Sequence, residues 1–314
     1  VICAVFAAMA GISRVATVTM GLIALPAMLK RGYDRKMVVG CIACGGALGI
    51  IIPPSLIAIL YGSITGTSVG KLFMGGVVPG VLIAVVMIIY ITLLCIVKPE
   101  MGPPVPRDER TSWREKFISL TGIIMPLVLI LIVLGTIYAG VCTPTEASGI
   151  GALGAIVAAL IYKKLSWTSF KSALARTLNV TCMAIWIVIG AKAFAAIYTA
   201  GGASDFMLSL VNELEIPPLA MVLFMQIIFF ILGMFIDPVG MLMICGPVFL
   251  PIIDALGFDP VWFGVLFILN SGIAYITPPF GFNLFYMRAI VPTDMNMIEI
   301  YKSVWPFVVC QIVV

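Results

Sequence analysis

Long apolar runs separated by short polar ones make up most of this chain, and several runs are broken inside. Residues about 1–29 are apolar but interrupted at Gly11–Thr17, and residues 37–65 are apolar with a break near Gly49–Pro54. Four uninterrupted runs follow near 77–97, 123–140, 144–162 and 178–200. Residues 219–253 are again interrupted, at Asp237–Pro238, residues 260–288 are broken near Gly272–Pro279, and a last helix starts near 304. About 20 apolar residues carry a helix across a bilayer. An open sheet would strand unpaired backbone groups in lipid, so the pattern predicts an all-α polytopic membrane protein. Trp113–Gly122, Trp167–Thr177, Asp205–Leu214 and Thr293–Val304 read as amphipathic helices lying at the interface. Thr143-Pro144-Thr145-Glu146 is a capping box with proline in the first turn, which explains Glu146 structurally.

The broken stretches repeat at a constant offset of 225 residues. Gly32–Tyr61 reads GYDRKMVVGCIACGGALGIIIPPSLIAILY, and Gly257–Tyr286 reads GFDPVWFGVLFILNSGIAYITPPFGFNLFY. Gly32 meets Gly257, Asp34 meets Asp259, Pro53–Pro54 meets Pro278–Pro279 and Tyr61 meets Tyr286, without a gap. Upstream, Met9 meets Met234 and Leu25–Pro26 meets Leu250–Pro251. Paired broken segments in two halves mark the binding site of a membrane transporter.

Composition agrees: 62% of residues are hydrophobic, 10% are charged and the mean hydropathy is +1.20, whereas soluble domains carry about 25% charged residues. If both interrupted segments are re-entrant hairpins, four crossings separate the copies and the repeat is inverted. Lysines and arginines test this. Lys30, Arg31, Arg35, Lys36, Lys98, Arg107, Arg110, Arg114, Lys116, Lys163, Lys164, Lys171, Arg176, Arg288 and Lys302 fall on one face and only Lys71 on the other. The rich face is cytoplasmic. The opposite loops carry Asp205, Glu213, Glu215, Asp254 and Asp259. Lys98–Lys116, with four prolines, reads as a cytoplasmic linker. The net charge of +4 follows this topology and does not point to nucleic acid. An opening without Met and a close in WPFVVCQIVV point to a fragment, and the opening lacks a signal-peptide pattern.

The expected division is 1–65, the first hairpin and broken helix; 66–200, scaffold helices; 201–291, the second hairpin and broken helix; and 292–314, an interfacial helix with the start of a crossing. Broken helices free carbonyls that suit a small hard cation and half-helix N-termini that suit an anion. Two related pairs of breaks predict two cation sites around one substrate site. Arg14, inside an apolar run, either holds a substrate carboxylate, snorkels, or ties a freed carbonyl. Asp237 ligands a cation, carries a proton, or caps the helix after Pro238. The hydroxyls of the first tip, Ser13 and Thr17, can add oxygen ligands. Asn270, Ser271, Thr277 and Asn283 either serve the site or bond between helices. Lys192 snorkels or lines a cavity. Cys41-x-x-Cys44 has a redox or metal spacing, but without a second pair or any histidine it reads as buried apolar packing, so no transition-metal site is expected.

LPAMLKRGYDRKMVVGCIACGGALGIIIPPS, CTPTEASGIGA, GMFIDPVGMLMICGPVFLPI and LGFDPVWFGVLFILNSGIAYITPPFGFNLF make the chain resemble the large membrane subunit of TRAP transporters, the tripartite ATP-independent periplasmic transporters. The resemblance implies a sodium-coupled secondary importer of the bacterial or archaeal inner membrane, working by an elevator motion without an organic cofactor. A periplasmic binding protein delivers an organic acid, and a small membrane subunit braces the scaffold. It implies Ser13, Gly45 and Gly49 at a first sodium region and Asp237, Gly272 and Thr277 at a second, while the residues themselves make Ser13, Arg14 and Asn283 the candidate substrate contacts. Many members carry a GSS-like first tip where this chain has Gly-Ile-Ser-Arg, a departure that singles out Arg14.

An enzyme is disfavoured: a zinc protease needs HExxH, GxSxG is absent, only Asp237 qualifies as a membrane aspartate, and no phosphate-binding loop appears. The remaining alternatives are a sodium–dicarboxylate symporter that needs no binding protein, and a passive anion channel.

Overall fold

Asp34 and Asp259, 225 residues apart in the repeat, each accept a backbone hydrogen bond at the start of a helix. Met37 N donates to Asp34 Oδ1 at 2.8 Å and Val261 N to Asp259 Oδ1 at 2.7 Å. From these caps run α3 (Arg35–Ile51) and α12 (Pro260–Ala274), the first halves of the two broken helices. The computed structural model describes residues 2–104, 112–213 and 216–314, and all regular structure in them is helical. Arg107, Arg110, Glu215 and the middle of the expected 98–116 linker lie outside the described residues. Five helical stretches are long and apolar enough to cross a membrane.

Two compact units form: Val1–Glu109 with Met207–Val314, and Arg110–Phe206. In the first, α1 (Ile2–Ala10) and α2 (Ser13–Lys30) form one helix pair, packed on α3. The chain then breaks at residues 52–55, resumes as α4 (Leu56–Thr65) and continues in α5 (Val69–Val97). The second helix pair is α10 (Pro218–Gly233) with α11 (Pro238–Ala255), packed on α12, and after a break at 275–281 comes α13 (Phe282–Arg288). The second halves are exchanged. α13 packs on α2 of the first pair and α4 packs on α11 of the second. α14 (Met297–Ile312) lies against α3. The second unit holds α6 (Trp113–Tyr138), α7 (Pro144–Ile161) and α8 (Trp167–Ala200), and α9 (Ala203–Glu213) follows.

Four expectations change. The first tip is shorter than Gly11–Thr17: only Gly11 and Ile12 are non-helical. The first break sits at 52–55, so Gly45 and Gly49 are inside α3. The Trp113 and Trp167 stretches are not separate interfacial helices but the opening turns of α6 and α8: α8 has no Gly or Pro between its first turns and its crossing, and α6 stays helical through Gly122 and Pro126. The last helix starts at Met297 rather than 304, where Asn296 and Glu299 form a capping box. The capping box of Thr143 and Glu146 forms as expected, with Thr143 N donating to Glu146 Oε2 at 2.8 Å.

Small residues hold the first unit together. Apolar burial gives little drive between helices in lipid, so close approach and dispersion take its place. A Cβ at Gly49 would stand 2.7 Å from Ala7 O, and one at Gly45 3.0 Å from Cys3 Cβ and Sγ. At Gly272 it would meet Ile51 Cδ1 at 2.7 Å. Tyr61 on α4 lies over Gly264 and donates to Pro260 O at 3.0 Å, and its ring stacks on Phe267. Cys44 is fully buried in α3, and the Cys41 and Cys44 thiols are free.

Candidate functional site

Each helix pair is tied to its own break by one backbone hydrogen bond. Leu56 N donates to Gly11 O at 3.3 Å, and Gly281 N donates to Met234 O at 3.1 Å. Leu56 and Gly281 are equivalent at the 225-residue offset, so the same N–H in both copies reaches the facing tip. At Gly11, φ is +62° and an added Cβ would lie 2.8 Å from Pro54 O, so both the conformation and the close approach require glycine. Gly281, at φ +50°, is the matching left-handed residue of the second break.

Backbone groups freed inside a membrane cost several kcal/mol each if unpaired, on the order of a lost hydrogen bond or more. In the first break Ser55 Oγ donates to Ile50 O and caps α4, and Ile52 N reaches Leu48 O at 2.7 Å. In the second, Thr277 Oγ1 donates to Ile273 O at 2.7 Å, Asn283 N to Tyr275 O at 3.1 Å, and Tyr301 OH to Pro279 O.

The first copy also holds oxygens without a partner. Ser13 and Thr17 lie one turn apart on the face of α2 turned to α3. They are 2% and 0% exposed, and neither hydroxyl has a hydrogen-bond partner. Thr17 Oγ1 would be 2.0 Å from a Cβ at Gly46, so this glycine makes room for it. Asn283 on α13 is fully buried. Its Nδ2 donates to Ala43 O at 2.6 Å, one turn from Gly46 on α3, while its Oδ1 is unpartnered. Leaving such a group unsatisfied costs about 1–3 kcal/mol. Among the described residues, the unpartnered buried nitrogen and oxygen atoms along the α2–α3–α13 seam are three oxygens, a donor type that suits a hard cation.

Arg14 is half-buried in the first turn of α2, and its charge reaches Asp237 and Tyr275 in the second copy. The two tips therefore place opposite charges within electrostatic range. Asp237 caps α11, accepting from Val239 N at 3.1 Å, with Pro238 at the first helical position. One of its oxygens is thereby engaged in the cap. Gly45, Gly49 and Gly272 are close-packing positions. Gly45 lies inside α3, whereas Gly49 and Gly272 stand in the last turns of α3 and α12, where Pro53 has no N–H to offer Gly49 O and Ile276 N turns to Ile273 O. Lys192 is exposed on α8.

The Thr17 hydroxyl, an oxygen expected at the first tip, completes the buried set. Two residues that sequence reasoning did not single out as site groups also emerge. Gln226 and Gln311 join Asn270 around a groove of about 350 Å³, in which Asn270 Nδ2 donates to Gln226 O at 2.6 Å and Oε1 at 2.9 Å.

All 314 residues match the model of the family described as "Tripartite ATP-independent periplasmic transporter, DctM component". The C4-dicarboxylate TRAP transporter large permease protein DctM of Pseudomonas aeruginosa is 34% identical over 312 residues, covering 99% of this chain and 71% of the relative. The isethionate TRAP transporter permease protein DctMQ of Oleidesulfovibrio alaskensis is 30% identical, covering 99% of this chain and 48% of the relative. The crystal structure of the Alcanivorax borkumensis YdaH transporter matches with a TM-score of 0.55 at 13% identity, covering 99% of this chain and 82% of that one, a likeness of fold.

Proposed function

Since the chain belongs to the DctM-component family of tripartite ATP-independent periplasmic transporters, we propose that it couples sodium entry to the uptake of a small organic acid by an elevator motion. It is a large permease subunit, a multi-pass protein of the inner membrane and not an enzyme. The observation that carries the sodium reading is the set of buried, unpartnered oxygens Ser13 Oγ, Thr17 Oγ1 and Asn283 Oδ1. Sodium at this seam relieves their unmet bonding and draws α2, α3 and α13 together. Asp237 and Thr277 serve a second sodium region at the other tip. The Thr277 hydroxyl has given its proton to Ile273 O and keeps lone pairs for a cation.

Arg14 holds the substrate carboxylate. A guanidinium binds a carboxylate through two parallel hydrogen bonds, and Arg14 sits at a tip within range of Asp237. Substrate arrival then competes with Asp237 for Arg14 and leaves Asp237 free for the cation, which links the two occupancies. The relatives' C4-dicarboxylate and isethionate are both organic anions. A periplasmic binding protein delivers the substrate, and a small membrane subunit stands beside this chain. The relative named DctMQ supports that partnership. The two helix pairs and broken helices, related by inversion, form the moving part and supply similar outward and inward gates.

Thermal unfolding of the purified protein in sodium and in choline at equal ionic strength tests the reading. A ligand that binds only the folded state stabilises it, by about 2.7 kcal/mol at a hundredfold excess over Kd. Saturable stabilisation by sodium is expected, weakened in Asp237→Asn and in the double variant Ser13→Ala/Thr17→Ala. Equal unfolding in both salts at all concentrations overturns sodium coupling. Crosslinking a cysteine at tip one to the scaffold should arrest uptake, and full-rate uptake after crosslinking overturns the elevator.

A further inference from the structure

The turn between α7 and α8 is closed in an unusual way. Lys163 N donates to Leu160 O and Lys164 N to Ala159 O, each at 2.9 Å, which ends α7 with Lys163 at φ +52°. This is the left-handed position that glycine ordinarily fills. Every other residue with positive φ among the described residues is glycine. A lysine is disfavoured there, so something beyond the backbone offsets its presence.

The surroundings supply a reason. Lys163, Lys164, Lys171 and Arg176 are all exposed, and no carboxylate pairs with any of them among the described residues. The sequence has no Asp or Glu between Glu146 and Asp205. Beside the lysines lies a groove of about 400 Å³ lined by Ile156, Leu165, Ser166, Trp167 and Phe170. Trp167 is 71% exposed, and its ring stacks on Phe170 with centroids 5.8 Å apart. Lys171 follows Trp167 by one helical turn, on the same face of α8. The positive charges place this turn at the cytoplasmic end of two crossings, where tryptophan marks the boundary between headgroups and hydrocarbon. A cationic rim therefore meets an apolar, aromatic-walled groove at one depth in the bilayer.

We propose that this turn is a binding site for an anionic phospholipid. Lys163, Lys164 and Lys171 hold the headgroup phosphate, and the upper part of one acyl chain lies in the groove against Trp167 and Phe170. A zwitterionic lipid would bring its own ammonium against the lysines. An acidic soluble ligand would satisfy the charges and leave the groove empty. The left-handed lysine is explained because its side chain completes the rim at the membrane surface.

The test uses the full chain in detergent, titrated with dioleoyl phosphatidylglycerol, dioleoyl phosphatidylcholine or inorganic phosphate, with retained lipid counted by native mass spectrometry and thermal unfolding followed in parallel. Phosphatidylglycerol should be retained and raise the unfolding temperature, while phosphatidylcholine and phosphate do neither. Each lysine removed should weaken retention by about fivefold. Lys163→Gly is the informative variant. It should unfold at a higher temperature than the parent in phosphatidylcholine, because the strain is relieved, yet lose part of its preference for phosphatidylglycerol. Trp167→Ala should weaken phosphatidylglycerol retention and leave its preference over phosphatidylcholine. Equal retention of the two lipids by the parent overturns the proposal, as does a phosphate effect equal to that of phosphatidylglycerol. Lysine variants that keep the lipid but release the small membrane subunit would assign the patch to a protein partner instead.

Discussion

Ser13 and Thr17 in the first copy and Ser271 and Thr277 in the second are all buried hydroxyls at or beside a tip or a break, yet only the second two are hydrogen-bonded. Ser271 Oγ and Thr277 Oγ1 each donate to the carbonyl four residues back, at 2.7 Å. Ser63 and Thr92 elsewhere in the chain do the same. Ser13 and Thr17 do not. The backbones of the copies agree down to the bond from Leu56 or Gly281 to the facing tip. The difference teaches that a duplicated backbone scaffold has been loaded unequally. The first copy holds open hydroxyls for a ligand, and the second spends its hydroxyls on its own carbonyls and contributes Asn283 Oδ1 and the carboxylate of Asp237.

The largest effect should come from closing the space that the first copy keeps. Gly46→Ala sets a methyl 2.0 Å from Thr17 Oγ1 and 3.0 Å from Thr17 N. Gly49→Ala meets the Ala7 carbonyl. Backbone cannot yield as a side chain can, and overpacking costs typically about 1–3 kcal/mol. Both should lower the unfolding temperature more than Gly272→Ala, which meets only the far end of Ile51. Equal losses at Gly49 and Gly272 would break the comparison. Next comes Thr277→Val, which removes the hydroxyl's bond to Ile273 O, an oxygen that Ile276 N still reaches at 3.2 Å, and should cost about 1 kcal/mol in choline and more in sodium, where a cation ligand is lost as well.

The double variant Ser13→Ala/Thr17→Ala should behave oppositely. Without sodium it should be as stable as the parent or more so, because two unsatisfied groups are gone, and its gain from sodium should fall. A loss of stability in choline like that of Thr277→Val would show that the two hydroxyls are structural. The smallest effect concerns the exposed ion pair Arg35–Asp294, which links the start of α3 to the loop after α13. The hydrogen bond from the Arg35 guanidinium holds the Asp294 carboxyl below its ordinary value. The pair's contribution is therefore complete above the usual carboxylate range and is lost as pH falls through the lowered value. The small gap in unfolding temperature between the parent and Asp294→Asn should close in acid and shrink in high salt.

Much of the site could be read from residues, with characteristic errors. The Pro53–Pro54 and Pro278–Pro279 pairs located both breaks to within a few residues, because two adjacent prolines remove two donors, whereas single prolines such as Pro79 and Pro126 stay inside continuous helices. Glycine is ambiguous. Gly49 and Gly272 stand beside a break and are also places where a neighbour comes close, and Gly45 is close-packed inside α3. Thr17 was legible as an oxygen at the first tip, but a threonine in an apolar run says nothing about whether its hydroxyl finds its own backbone or waits for a ligand.

Sequence by itself was sufficient for the helical membrane class, the crossings, the family and the duplicated order of helix, break and helix. These follow from hydropathy, proline chemistry and residue spacing, which act locally along the chain. The tertiary structure alone decided that α13 packs on the first helix pair and α4 on the second, that Arg14 comes within range of Asp237, and that Ser13, Thr17 and Asn283 are buried with oxygens to spare. Partners 200 or more residues apart make these contacts, and whether a polar atom is satisfied depends on what the packed neighbours offer it.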